Sequence, residues 1–401
     1  MEKSIVTPYA KRQYSSNVIT FFLFWCALMV VSSAYVTTPL FSVFESTFQV
    51  SKTMSAWTSS SFSLFYAIGF LLFGPLADRI GRKPVLLFGL ATLAIITPLI
   101  GVTSSFIGLV ILRGLQGFLA STFAPSALAY AFDVIPSNKL VTTIGFISFG
   151  YVTSGIVGQV LADVLFQIGS WNMVFYVFGA LYFVTFIAGI ILMPTPNMEK
   201  HKEGLNFYIY HSKVIFKQQN FILIYAITIM LLLTFMGMYT LLGSYLEGAP
   251  FYLNDKEILG FRAIGIIGML VSPFVGKIVK RIGVLTTLRC GLALSALGLF
   301  LLGIGNSIFF LIMMSIVYVF GISIIFPSIM VLVGELGGER RALANAYYAF
   351  ILFIGAMLGP IIAIELLELT TMFMTFTILA LMLVVGFVLS IFLKYQKQLR
   401  E

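Results

Sequence analysis

Residues 74–83 read GPLADRIGRK and stand between two uncharged stretches: Met54 to Phe73 before them and Pro84 to Leu112 after them hold no Asp, Glu, Lys or Arg. One acid, three bases and two glycines thus fall in ten residues between long apolar flanks. The flanks match the rest of the chain, whose 401 residues are 60% hydrophobic and only 10% charged, with a mean hydropathy of +1.04. A soluble domain carries roughly 25% charged residues, so this composition cannot cover a water-facing surface. Forty Phe and thirty-five Gly agree, Gly being more frequent in membrane helices than in soluble ones. The chain is expected to cross a membrane many times, and the charged decapeptide to connect two spans.

A spanning helix needs roughly 20 apolar residues. Runs of that kind lie near 18–43, 54–76, 84–103, 105–131, 140–165, 172–193, 219–245, 257–279, 285–303, 307–334, 342–364 and 370–393. None alternates in the manner of a membrane β-strand. The fold class expected is therefore an all-α membrane protein with twelve transmembrane helices. The first run is too long for the core of a signal peptide, roughly 7–15 residues, and is expected to remain as a helix. Cys26 and Cys290 both fall in apolar runs, so no structural disulfide is expected.

Charge sets the expected orientation. With twelve spans both termini share a side, and that side receives nearly all the Lys and Arg, including Lys11, Arg12, Arg79, Arg82, Lys83, Lys139, Lys213, Lys217, Lys277, Lys280, Arg281, Arg289, Arg340, Arg341 and Lys394. The other side receives Lys52, Lys256 and Arg262. Basic residues in short loops stay cytoplasmic, so both termini and the 74–83 loop are expected in the cytoplasm, with the chain in the plasma or inner membrane. The net charge of +9 is then a consequence of topology and no sign of nucleic-acid binding.

The two halves repeat. GPLADRIG at 74–81 aligns with GKIVKRIG at 276–283, an offset of 202 residues. At the same offset Pro125-Ser126 meets Pro327-Ser328, Asp133 meets Glu335, and Lys139 meets Arg341. Parallel repeats about an axis along the membrane normal are a construction used by secondary transporters. The domains expected are an N-terminal six-helix bundle at 1–193, a cytoplasmic central loop at 194–218 and a C-terminal six-helix bundle at 219–401, the bundles being pseudo-symmetric. Within the loop, Leu205, Phe207, Tyr208, Val214 and Phe216 interleave with Lys213 and Lys217, a pattern open to either a surface-lying amphipathic helix or an irregular connector.

GPLADRIGRKPVL, through Gly74, Leu76, Asp78, Arg79, Gly81, Arg82 and Lys83, resembles the loop-2–3 signature of the major facilitator superfamily. R113-G-L-Q-G117 resembles that superfamily's fourth-span motif, and S154-G-I-V-G158 more weakly its fifth-span antiporter motif, from which Ser154, Gly155 and Gln159 depart. The chain as a whole is most similar to the twelve-helix drug:proton antiporter branch. The resemblance implies that Asp78, Arg79 and Arg82 join an ion-pair cluster with Asp133, a latch on the cytoplasmic side, and that Arg113 serves substrate or proton coupling with Gln116 one turn along. In the second half Lys280 replaces the acid, leaving Arg281 and Glu335 as a weaker copy. It also implies a cavity lined by spans 1, 4, 7 and 10 with help from 2, 5, 8 and 11. Candidate lining groups are Tyr35, Tyr66, Gln116, Tyr151, Tyr239 and Tyr318, walls that suit a hydrophobic or weakly polar cargo.

Against that stands a bland alternative for each residue. Arg79, Arg82 and Lys83 enforce topology in any membrane protein, an intramembrane Arg also serves as a backbone-bonded strut, and a lone tyrosine is commonly packing. No acid occurs between Glu2 and Glu45 to titrate in the first span; the remaining candidates for a titrating acid are Asp163, late in the fifth span, and Glu247, just past the seventh, and the preferred reading of both is a solvated carboxylate at a loop edge. The expected partners are a small-molecule substrate, protons and the lipid bilayer, with no nucleic acid, no cofactor, no metal and a monomeric state. An enzyme is not expected, since His201 and His211 both lie in the central loop and there is no Walker motif. A channel lacks its filter sequence and a voltage sensor its Arg-rich helix. Export of a hydrophobic molecule is the leading expectation, and a carrier for sugars, amino acids or other metabolites the alternative.

Overall fold

The computed structural model describes residues 15–195, 212, 214–338 and 341–394. Among them ten helices are long and apolar enough to cross a membrane, joined by the shorter apolar helix Ser16–Ser32. We number twelve spanning units. In the first half they are α1 (Ser16–Ser32, continued by a 3-10 turn at Thr38–Leu40 and a helix at Phe41–Phe48), α2 (Lys52–Ile80), α3 (Arg82–Val102), α4 (Phe106–Ala120 and Phe123–Val134), α5 (Ser137–Ile168) and α6 (Trp171–Leu192). The second half has α7 (Gln219–Glu247), α8 (Asp255–Ile264, Ile266–Met269, Ser272–Phe274 and Val275–Ile282), α9 (Val284–Ile304), α10 (Ile308–Gly337), α11 (Arg341–Leu369) and α12 (Met372–Ile391). Most of the central stretch, including His201, His211 and the first part of the proposed amphipathic segment, lies outside the described residues.

Several helix starts carry a side-chain cap. Ser51, Ser105, Ser307 and Thr371 each accept a backbone N–H through the side-chain oxygen at the start of α2, α4, α10 and α12, which satisfies one of the orphan donors every helix start carries. Asn254 starts α8 with a reciprocal cap, accepting from the Glu257 N–H at 3.1 Å while Glu257 accepts from its own N–H at 2.9 Å.

The repeat reappears in the fold. α3 and α9 each run 21 residues and begin 202 residues apart, at Arg82 and Val284. The caps Ser105 and Ser307 keep that offset. So do Gly81 and Gly283, whose φ angles of 113° and 86° turn the chain between neighbouring helices with no residue to spare. That backbone region is open to glycine and strained for other residues, which explains why both copies of the loop keep this glycine. Packing follows the same rule: α1 lies on α5 as α7 lies on α11, α3 on α6 as α9 on α12, and α2 on α4 as α8 on α10. The fold is all-α, with twelve transmembrane helices in two pseudo-symmetric six-helix bundles.

The copies differ in where they break. α1 and α4 are interrupted and their counterparts α7 and α10 are continuous, whereas α8 is interrupted and its counterpart α2 is continuous. The sequence expectation of single spans at 18–43 and 257–279 is corrected accordingly. Pro39 and Pro273 each open a 3-10 turn at the break, a position where the missing N–H does least harm. Pro75, Pro98, Pro327 and Pro360 sit inside helices that stay continuous, as neighbouring helices permit. Between the halves the principal contacts are α2 on α11 and α5 on the segments of α8. Cys26 and Cys290 are both free thiols.

Candidate functional site

A cavity of about 850 Å³ lies between the halves. Its walls come chiefly from α1, α2, α4, α5, α7, α8, α10 and α11, the eight helices expected, and it extends to the end of the molecule that carries residues 74–83, where Gly74, Pro75, Ala77, Leu343 and Arg82 at the start of α3 line it. Its aromatic surface includes Tyr35, Tyr66, Tyr151, Phe235, Tyr348 and Phe353. Among the described lining residues Arg82, at the mouth, is the charged one. A pocket with aromatic and aliphatic walls and scattered hydroxyls takes up an apolar body and reads few polar groups on it.

The deep end of the cavity is closed by contacts that cross between halves. The Tyr66 ring of α2 lies against Phe353 of α11 with centroids 4.2 Å apart, and Tyr35 of α1 meets Phe235 of α7 edge-on at 5.9 Å. Behind these rings Ser60 donates to the Met357 carbonyl at 2.7 Å. Farther out Lys52 Nζ donates to Ser244 Oγ at 2.6 Å. Asp163 of α5 and Arg262 of α8 form an ion pair at 2.9 Å, with side chains only 8% and 7% exposed. The molecule is therefore open at the 74–83 end and sealed at the other.

That pair corrects the reading of Asp163 as a solvated loop-edge carboxylate. It lies inside α5, where burial of a lone carboxylate would cost several kcal/mol, roughly, and the guanidinium opposite offsets that cost. Glu247, at the end of α7, is exposed as expected. The sequence did contain the clue, an acid and a base each set inside a span of a different half, but spacing along the chain does not say that two spans meet.

Arg113 and Gln116 are elsewhere. Both are fully buried, and neither lines the cavity. Arg113 donates Nε–H to the Thr58 carbonyl of α2 at 2.9 Å, an Nη2 hydrogen to the Ser33 carbonyl at 2.8 Å, and an Nη1 hydrogen to Gln116 Oε1. Its guanidinium carbon sits 4.5 Å from the Phe62 ring centroid. Gln116 passes the chain on to Thr97 of α3 at 2.9 Å. Ser33 follows the last residue of the first α1 segment, where carbonyls have no further turn to bond. Arg113 thus caps the broken helix and ties α1, α2, α3 and α4 within one half. Candidate lining residues Tyr239 and Tyr318 also lie outside the cavity: both are buried, and Tyr318 donates to Thr234 at 3.2 Å inside the second half. In their place stand Tyr347, Tyr348 and Asn345 of α11, polar-tipped groups within a span that were passed over in the sequence.

At the open end Arg82 donates to Asp133 and, at 2.8 Å, to the Ala129 carbonyl, while Lys83 donates to the Met193 carbonyl. Loop 74–83 is thereby fastened to α4 and to the end of α6, all in its own half. The Asp78 side chain lies outside the described residues. Arg79, Arg281 and Glu335 lie at the same end, in the last turns of α2, α8 and α10.

With this geometry the comparisons with known proteins agree. The family model of the Major Facilitator Superfamily matches residues 23–284 and 259–400. An uncharacterized transporter of Buchnera aphidicola subsp. Schizaphis graminum is 24% identical over 360 residues, 88% of this chain and 85% of its own. The uncharacterized MFS-type transporter YceJ of Bacillus subtilis is 23% identical over 343 residues, 85% of this chain and 87% of its own. The quinolone resistance protein NorA of Staphylococcus aureus is 26% identical over 297 residues, 72% of this chain and 74% of its own. Members of the matched family are carriers of small molecules rather than enzymes. The loop signature, the repeat, the twelve spans and the match along nearly the whole chain establish this multi-pass membrane protein as a member of the major facilitator superfamily.

Proposed function

We propose that the chain exports a small hydrophobic or weakly polar molecule by alternating access, in exchange for protons. The observation that carries this reading is the cavity: its aromatic walls belong to both halves, and it reaches only one end of the molecule. Similarity to a quinolone resistance protein supports the direction and the class of cargo. Orientation follows from the basic residues: the open end, with Arg79, Arg82, Lys83 and Arg281, faces the cytoplasm, both termini lie there, and the conformation is inward-open. The units are the bundles 1–193 and 219–401 with the central loop between them, working as a monomer in the cell membrane. Arg79, Asp78, Glu335 and Arg281 form the latch that closes the cytoplasmic end in the opposite state. Arg113 and Gln116 serve this cycle by holding the first bundle rigid.

The test is transport into proteoliposomes together with a growth panel of diverse toxic compounds. Expression is expected to protect cells against apolar aromatic compounds, and a protonophore to abolish the concentrative uptake. The alternative, a carrier for sugars, amino acids or other metabolites, predicts no protection, and counterflow of a polar solute that a protonophore leaves intact.

A further inference from the structure

At the sealed end a buried ion pair joins α5 of one half to α8 of the other. Asp163 lies near the end of α5, and Arg262 in the last turn of the first α8 segment. Arg262 Nη1 donates to Asp163 Oδ2 at 2.9 Å, and Gln167, one turn farther along α5, donates to Oδ1 at 3.5 Å. The guanidinium packs against α7, its Nη2 only 3.0 Å from where a side chain on Gly243 would begin. The charged and titratable groups that face the pair from α7 are Glu247 and Tyr239, both near Arg262. The turn Thr38–Leu40, which also packs on α5, brings none.

A buried ion pair adds little net stability compared with apolar side chains of the same shape, yet losing one member is costly. Between two bodies that separate in every cycle it is therefore a weak adhesive with a strong condition attached. It closes only while the carboxylate is ionised, because closing on a protonated Asp163 would bury the Arg262 charge without its partner.

We propose that Asp163 and Arg262 form a charge lock on the end opposite the cavity mouth, and that Asp163 is a proton-binding site reached from that side. The inference rests on the alternating-access reading above. When the halves part at this end, water reaches Asp163, a hydronium ion gives its proton to a carboxylate oxygen, and water leaves. The neutral acid no longer balances Arg262, so acid on that face holds the end open and its removal lets the end close. Charge-separated Arg262 then remains solvated beside Glu247 until Asp163 ionises again. The lock sits apart from the cavity, so it governs which way the carrier faces and not what the cavity holds.

The experiment is a distance measurement on the full chain in lipid nanodiscs. Cys26 and Cys290 are replaced by Ala and Ser, and spin labels are placed at Ile168 and Tyr252, exposed positions of the two halves at this end. Acidification from about pH 6 to about pH 3, a range that spans the ordinary carboxylate value, should populate longer distances in the parent, because only the open state takes up the proton. Asp163→Asn should lower the closed-to-open ratio at least about tenfold at the higher pH, and acidification should then change it little. The exchanged pair, Asp163→Arg with Arg262→Asp, should restore closure and its pH response. Because Asp163→Asn leaves a buried guanidinium and can fail to fold, the neutral pair Asp163→Asn with Arg262→Gln serves as a second variant: it should close and ignore pH. A pH response that survives in the neutral pair, or a parent end that moves with cargo and ignores pH, overturns the lock alone. An end that stays fixed under every condition overturns the alternating-access reading along with it.

Discussion

Among the described residues two arginines are buried, Arg113 and Arg262, and the partners they hold separate their roles. Arg113 spends its donors on the Thr58 and Ser33 carbonyls and on Gln116, all within the first half. Arg262 donates to Asp163 across the divide between halves. When two rigid bodies rock against one another, contacts inside each body persist and contacts between them break. Arg113 is then a permanent strut and Arg262 a contact remade in each cycle. Membrane burial makes both expensive, by roughly 2.5–3.5 kcal/mol on insertion scales, so depth alone does not distinguish them. The partner's address does.

The largest effect should come from removing the strut. Arg113→Ala orphans two buried carbonyls, at about 1–3 kcal/mol each, and empties the space of a long side chain. We expect a large fall in thermal stability and in membrane yield. Arg113→Lys keeps the charge without the planar fork and should recover only part. If instead either variant reaches the membrane with parental stability and has lost transport, Arg113 acts in coupling and the comparison breaks. Next in size is Gly117→Val. A Cβ at Gly117 would stand 2.1 Å from the Phe62 carbonyl oxygen, so α4 and α2 must separate and carry Arg113 away from Thr58. Overpacking of this kind costs about 1–3 kcal/mol, which a melting curve of the purified protein measures.

These expectations show which parts of the structure the sequence could disclose. Twelve spans and their repeat were legible because each is local or periodic: apolar runs mark the helices, and Gly81 and Gly283 mark one turn twice. The eight cavity-lining helices followed from the family resemblance. Individual side chains were harder. Tyr35, Tyr66 and Tyr151 line the cavity and Tyr239 and Tyr318 do not, since a helix that is apolar all round carries no record of which face meets its own bundle. The interruption of α1 and α8 hid behind Pro39 and Pro273, when Pro75 and Pro327 leave their helices whole. Asp163 and Arg262 are 99 residues apart, and nothing local in the sequence joins them.

A smaller effect should follow from Lys52→Ala at the sealed end. Lys52 reaches from α2 to Ser244 of α7 at 2.6 Å in partly buried surroundings. Such a hydrogen bond to a charged donor contributes about 1.5–3 kcal/mol at most, less where water competes. Stability should hardly change, because the bond lies between the halves rather than within one. The far end should nevertheless open more readily, seen as longer Ile168–Tyr252 label distances. A lowered melting temperature with unchanged distances would place Lys52 with the struts.

The smallest expected effect concerns the cargo, which neither arginine touches. Tyr66 lines the cavity with its ring packed on Phe353 at 4.2 Å and on Phe62 at 5.7 Å. Tyr66→Phe keeps both ring contacts and removes one hydroxyl. If the carried molecule is recognised by its apolar body, the half-saturating concentration should move by less than about threefold, since the lost area is negligible and the vacated position has no cargo group to satisfy. A sugar or amino acid would instead lose a hydrogen bond and leave its own polar group unpaired, a penalty of about 1–3 kcal/mol, which is about fivefold to a hundredfold at about 1.4 kcal/mol per decade. Tyr66→Ala provides the scale, because it removes the ring as well and should impair transport of either class. The ratio of the two variants' effects in the proteoliposome assay therefore reports the chemistry of the cargo: a mild Phe variant beside a crippled Ala variant supports the hydrophobic reading, and two equally crippled variants favour the polar one.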